Sequence, residues 1–430
     1  MIAPLVVSSL LALQGRPSLD SATAMRVLTQ LRTADSAVCA LAGQAITNFG
    51  GMWDWRGEPG MAMPQPMPTP MPMPGGGGGG GIEIGFHGRR ELDPAVIRVF
   101  RSFIRDDNRC VRNIAAHVLG NHGGSESYTL FISLLKDARA DLRETGALGL
   151  GELEDSRALG PLTGALTGDD SPAVRATAAW ALGEIEDKSS IDALSRALSD
   201  RAPEVRHTAA WALGEIEDKR SVPALKTALN DQSLEVRMVA VWALGEIEDQ
   251  SAVPLLAAAA KDREPRVRQQ VAWALGEIES AEGVTALETL VRDPDLEVRK
   301  TAIWALGEIE DVTAVDPAVV ALKDADPDAR VMAAWALGEI ENDRAVEPLL
   351  AALKDPDFDV RATAAWALGE IESPRARDGL MAAQRDESGT VRRSATWALR
   401  QINNDDDENG GGPHPHVHVH VPSPHVKVKP

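Results

Sequence analysis

The stretch Trp180-Ala181-Leu182-Gly183-Glu184-Ile185-Glu186 decides the fold, because it returns at intervals of 31 residues. The same seven residues begin at Trp211, Trp242, Trp273, Trp304, Trp335 and Trp366, and a divergent copy begins at Trp397. His117 and Leu148 stand in the same slot of two earlier copies, so ten units run from about Pro94 to Ile402. A fixed period of this length marks a supersecondary unit that cannot bury its apolar side alone and must stack on its neighbours.

Each unit reads as two helices. In the copy from Arg344 to Glu372 the first helix is expected over Arg344–Lys354, with Pro348 in its first turn, where a missing N–H costs little. Asp355-Pro356-Asp357 makes the turn and brings carboxylates to the start of the second helix, expected from about Val360 to Glu372. At about 100° per residue, Val174, Ala178, Ala181, Leu182 and Ile185 share one side of the second helix, and Trp180 falls roughly 150° from them. The Trp is therefore expected to face away from the core, with Glu184 one turn further along the same exposed side. Ala179 and Gly183 are small enough to let the adjacent unit come close.

An Asp precedes an Arg by six positions in all ten units, as in Asp200/Arg206, Asp231/Arg237, Asp262/Arg268 and Asp293/Arg299, and Ala-Ala-x-Ala-Leu-Gly-x-Ile follows in its clearest copies. These residues resemble the HEAT-type repeats, in particular the short bilin-lyase-like subclass. The resemblance implies an all-α, right-handed α-solenoid of about ten two-helix repeats. In it the second helices line a concave face, and the Asp and Arg form a structural ladder tying each turn to the next repeat. It says little about function, because sites are grafted onto such folds case by case.

Around the array, residues 1–14 read as a signal segment, 20–50 as a degenerate cap repeat, 57–90 as a Met/Pro/Gly-rich disordered loop, 94–402 as the solenoid and 403–430 as a disordered tail. The apolar run from Met1 to Leu13 is shorter than the roughly 20 residues that span a bilayer, so export rather than membrane insertion is expected. Cys39 and Cys110 fall near the starts of second helices in units that become neighbours if the cap stacks on the array, where a disulfide could tie them together.

The chain carries 64 Asp and Glu against 44 Lys and Arg, a formal charge of −20, which argues against a nucleic-acid backbone or an anionic membrane as partner. It holds ten Trp but only six Phe and one Tyr. Eight of those Trp occupy the single repeat slot, beside a second column of Glu184, Glu215, Glu246, Glu277, Glu308, Glu339 and Glu370. Trp is common at binding hot spots and stacks under cations, so the pair of columns suits a protein or peptide bearing Lys or Arg.

Gly-x4-Gly-Lys-Ser/Thr, Gly-x-Ser-x-Gly, His-Glu-x-x-His and Cys-x-x-Cys do not occur. The HEAT-type enzyme deoxyhypusine hydroxylase uses His-Glu pairs to hold two irons, and this sequence contains no His-Glu dipeptide; His207, at the matching place, is followed by Thr208. Nothing argues for a pigment either, which disfavours a bilin lyase. His414, His416, His418 and His420, with Met-rich residues 61–73, supply weak metal-ligand chemistry and an alternative in which an exported protein handles copper or zinc. A further alternative is the ectodomain of a membrane sensor. The expectation is thus a monomeric, exported, non-enzymatic scaffold without cofactor that binds a basic protein or peptide on a Trp- and Glu-lined face.

Overall fold

A computed structural model of the chain describes residues 20–33 and 92–403, and all regular structure among them is helical. The 1–14 signal segment, the 57–90 loop, the tail from 404 onward and the greater part of the 20–50 cap lie outside the described residues. The chain divides into two compact units, one ending at Ile185 and the other starting at Glu186.

The first unit contains α1 (Ser21–Leu31), α2 (Pro94–Phe103), α3 (Arg109–His122), α4 (Gly124–Leu134), α5 (Ala140–Glu152), α6 (Leu159–Gly168) and α7 (Pro172–Glu184). Helix α1 packs on α2 and α3. The second unit alternates short first helices with second helices of 13 residues: α8 (Ile191–Ala197) and α9 (Pro203–Glu215), α10 (Val222–Ala228) and α11 (Leu234–Glu246), α12 (Val253–Ala259) and α13 (Pro265–Glu277). The pattern continues through α14 (Val284–Leu290), α15 (Leu296–Glu308), α16 (Val315–Ala321), α17 (Pro327–Glu339), α18 (Val346–Ala352) and α19 (Phe358–Glu370). It closes with α20 (Arg377–Ala383) and α21 (Gly389–Asn403).

Both helices differ in extent from the sequence reading. The expected Arg344–Lys354 helix is a 3-10 turn, Asp343–Ala345, followed by Val346–Ala352. Asn342 is responsible, because its side chain accepts the Arg344 N–H at 3.0 Å and tightens the first turn. Asp187, Asp218, Asp249 and Asp311 take the same role at their 3-10 turns. Asp187 thus starts its 3-10 turn by accepting the Ser189 N–H at 2.8 Å.

The second helix ends at Glu370 rather than Glu372, because Glu372 turns left-handed at φ 54°. The same closure occurs in seven further copies, from Glu154 to Glu341, with φ between 47° and 54°. In α9 the Ile216 N–H reaches the Ala212 carbonyl at 3.2 Å and the Glu217 N–H reaches the Gly214 carbonyl at 2.9 Å, satisfying carbonyls that a helix end leaves open. Glycine normally fills such a position, since a side chain there costs roughly 1–2 kcal/mol.

Within the second unit each second helix packs directly on the next, α9 on α11 and onward to α19 on α21. A first helix packs on its own second helix and reaches the following copy through that copy's 3-10 turn. Val205, Ala209, Ala212, Leu213 and Leu225 show the resulting core of one repeat, all fully buried.

Candidate functional site: two edges of the second helices

The C-terminal half of the second helix carries both columns. Sequence angles place Trp180 and its equivalents away from the core, but none of the eight is exposed: Trp211, Trp242 and Trp273 are buried to 4% or less, and the other five are half-buried. The correction comes from the neighbouring repeat. A Cβ on Gly214 would lie 2.7 Å from the Trp242 ring, one on Gly245 2.8 Å from Trp273, and one on Gly307 2.6 Å from Trp335. Gly276, Gly338 and Gly369 receive Trp304, Trp366 and Trp397 in the same way, as Gly151 receives Trp180 in the first unit. Each of these seven rings thus fills a hole made by a glycine of the preceding copy. This accounts for a glycine in mid-helix, where alanine would be favoured by about 1 kcal/mol.

Beyond the rings lie the carboxylates. Glu215, Glu246, Glu277, Glu308, Glu339 and Glu370 are half-buried, as is Glu184 in the first unit. Burial, and then the charges of Glu277, Glu279 and Glu310, push the Glu308 carboxyl above its ordinary range, although the Trp304 indole donates a hydrogen bond to it. Glu339 is raised likewise by burial, by Glu370 and by Glu310, against a hydrogen bond from Trp335. The left-handed residues Glu217, Glu248, Glu279, Glu310, Glu341 and Glu372 add an exposed row. The two rows form an acidic ridge along the second unit, whose members repel one another.

At the other end of the same helices, charge is balanced. The Arg206 Nε and Nη2 donate to Asp231 Oδ2 at 2.6 Å and Oδ1 at 2.8 Å, while its Nη1 donates to the carbonyl of Asp200 at 2.9 Å. The guanidinium therefore clamps the turn of its own copy and pairs with the Asp of the next. Arg237 with Asp262, Arg268 with Asp293, Arg299 with Asp324, Arg330 with Asp355 and Arg361 with Asp386 repeat the arrangement, Nε to Oδ2 at 2.6–2.9 Å. Each Asp also caps its turn, as Asp231 does by accepting the Ser233 N–H at 2.9 Å. Bidentate pairs of this kind are strong as well as directional. The Arg206 guanidinium holds the Asp231 carboxyl below the usual carboxylate range despite partial burial.

In the first unit Arg143 pairs with Asp169 at 2.7 Å, but the first rung departs from the pattern. Asp137 is taken by Arg105 at 2.7 Å, and Arg112 turns to Asp141 at 3.3 Å. Asp106, the first ladder acid, is held by Arg32 from the end of α1 at 2.5 Å, so α1 closes that end of the described array. His117, in the Trp slot, lies 2.9 Å from Glu152, which also accepts from Asn121 at 3.0 Å.

No group of three potential metal ligands occurs among the described residues, and His414, His416, His418 and His420 lie outside them. Cys110 is disulfide-bonded; Cys39, the other cysteine of the sequence, lies outside the described residues. No helix among the described residues is long and apolar enough to cross a membrane.

Stacked helix pairs joined by a paired rung at each turn define an α-solenoid repeat protein. The chain belongs to the HEAT repeats: the family's model matches residues 128–203, 159–237, 194–266, 254–320 and 315–400. No curated protein matches the chain. Among solved structures, an engineered protein is similar at 21% identity over 71% of this chain and 98% of its own, with a TM-score of 0.43. Human deoxyhypusine hydroxylase in complex with glycerol is similar at 25% identity over 60% of this chain and 99% of its own, with a TM-score of 0.28.

Proposed function

We propose that the chain is a non-enzymatic scaffold whose second-helix face binds a basic protein or peptide. The observation that carries this reading is the acidic ridge. The Glu308 and Glu339 carboxyls are raised by burial and by the neighbouring carboxylates Glu277, Glu279, Glu310 and Glu370. A partner bearing Lys or Arg would relieve that repulsion and gain affinity from it. In the second unit the half-buried rings of Trp304, Trp335, Trp366 and Trp397 are the floor of this surface, and the buried Trp211, Trp242 and Trp273 support it.

Export fits the same picture, because disulfides persist in oxidising compartments and Cys110 is in one. Protein recovered unreduced from its native compartment should show no free thiol by mass spectrometry.

The binding test is fluorescence anisotropy with a labelled peptide of eight Lys-Pro-Pro triplets. The expected result is saturable binding that weakens at least about tenfold when Glu308, Glu310, Glu339 and Glu341 are changed to Gln, the equivalent of about 1.4 kcal/mol. Absence of binding, or equal binding by the variant, would reject the reading.

A further inference from the structure

The ladder of the second unit stops one rung short. Six successive Arg, from Arg206 to Arg361, each pair with the Asp of the following copy. Arg392 keeps half of that arrangement: its Nη1 donates to the carbonyls of Asp386 at 2.7 Å and Glu387 at 2.9 Å, clamping the turn of its own copy. Its Nε and Nη2, the atoms that grip a carboxylate in the earlier copies, meet no acid among the described residues. The guanidinium is therefore held by its turn and presented to solvent with an open fork, the geometry that takes a carboxylate bidentately.

The outer side of α21 is not shaped to receive another copy. Arg361 and Gly369 mark the side of α19 that meets the next repeat, the first by pairing with Asp386 and the second by receiving the Trp397 ring. The same two slots of α21 hold Arg392 and Arg400, so an arginine stands where a ring would enter. Gln401 replaces the Glu that ends each earlier second helix of the unit. With Arg393 beside them, α21 carries three exposed Arg and no acid, whereas α19 carries one Arg against Asp359 and Glu370.

The first rung, in the first unit, shows how the chain completes a ladder where no repeat supplies the partner. Asp106 has no earlier ladder Arg, and Arg32 of α1, 74 residues upstream and outside the regular copies, donates to it from Nε at 2.5 Å. There a flanking segment answers an acid. At the last rung the open group is a base, and Asn404-Asp405-Asp406-Asp407-Glu408 follows α21 directly, the one run of four consecutive acids in the chain. The lengths agree as well. Arg400 and Arg392 stand about 5 Å and 16 Å back along the helix from Asn403, and five extended residues reach about 17 Å. A second copy is a poorer occupant, because two α21 faces meeting about a twofold axis would set Arg against Arg.

We propose that residues 405–408 fold back along the outer side of α21 and complete the ladder, placing carboxylates on Arg400 and Arg392. The end of the array is thus a carboxylate-binding face that the chain fills with its own acidic segment. The contact is independent of the Glu ridge, since it uses none of the ridge residues.

The test is amide hydrogen exchange over residues 389–403 in the full chain, at pH 7 and low salt, with Asp405, Asp406 and Asp407 changed to Asn and Glu408 to Gln. Acids beyond a helix C-terminus are disfavoured by the helix dipole, so if these four stay in solvent the variant exchanges at the same rate as the wild type or more slowly. If they dock, it should exchange about fivefold faster, the size expected from losing a few exposed ion pairs. In an Arg392→Gln, Arg400→Gln background the same four changes should alter the rate by less than about twofold, because their partners are gone. Adding 0.5 M salt should bring the wild type to the rate of the variant. Unchanged or slower exchange in the acid variant would overturn the proposal, and so would a fivefold effect that persists without the two arginines. Protection that falls on tenfold dilution would assign the acids to a second copy and overturn a contact within one chain.

Discussion

Helices α15 and α17 of the later unit begin in paired charge and end among like charges. At the start of α15, Arg299 grips the turn of its own copy and pairs with Asp324 of the next. At its end, Glu308 and Glu310 face carboxylates of their own kind. The first arrangement is what a stack needs to hold register, and a repeat protein gains most of its stability from such nearest-neighbour contacts. The second arrangement weakens the stack, yet it recurs in both helices. Surfaces that cost stability in this way are where binding is expected to reside.

The largest effect should come from the seam that both edges share. Trp242→Ala removes a ring buried to 4% from the hole above Gly214, and is expected to lower unfolding free energy by about 3–5 kcal/mol in chemical denaturation. Preserved stability would mean that the rings are not the packing element described here. Arg268→Ala breaks one rung and leaves Asp293 partly buried without its partner, so a loss of about 2–3 kcal/mol is expected by the same measurement. Gly214→Ala tests the hole from its other side. Its Cβ would meet the Trp242 ring at 2.7 Å and the Ala243 Cα at 3.0 Å, and overpacking should outweigh the helical gain by about 1–2 kcal/mol.

The C-terminal edge should respond in the opposite sense. Glu279→Gly releases a left-handed side chain at φ 49° and removes a charge from the ridge, so a gain of about 1 kcal/mol is expected.

Acid separates the edges further. The Asp231 carboxyl is lowered, so its stabilisation is present above the ordinary carboxylate value near 4 and is lost as pH falls through the folded value. The Glu308 and Glu339 carboxyls are raised, so their contribution is complete below about 4.3 and is lost as pH rises through the folded value. Between about pH 4.5 and 7 the wild type should lose melting temperature relative to a Glu308→Gln, Glu339→Gln variant. Below about pH 4 both should fall together.

The period, the helix pairs and the Asp and Arg of the ladder were legible from residue spacing alone, because each depends on residues within one copy. The partners across copies were not. A helical wheel gives the angle of Trp242 about its own axis, and the glycine that receives it, Gly214, stands 28 residues earlier on another helix. Likewise Arg206 precedes its side-chain partner Asp231 by 25 residues, while the nearer Asp200 offers it a carbonyl. The left-handed Glu residues carried no local signal, since glycine is the residue expected there.

The most direct measurement is the melting temperature, at pH 7, of the chain with Glu308, Glu310, Glu339 and Glu341 changed to Gln. If the ridge serves binding and not the stack, the variant melts at the same temperature as the wild type or higher. A fall of several degrees, about 1 kcal/mol or more for a domain of this size, would show that the carboxylates hold the repeats together and would contradict the division between the two edges.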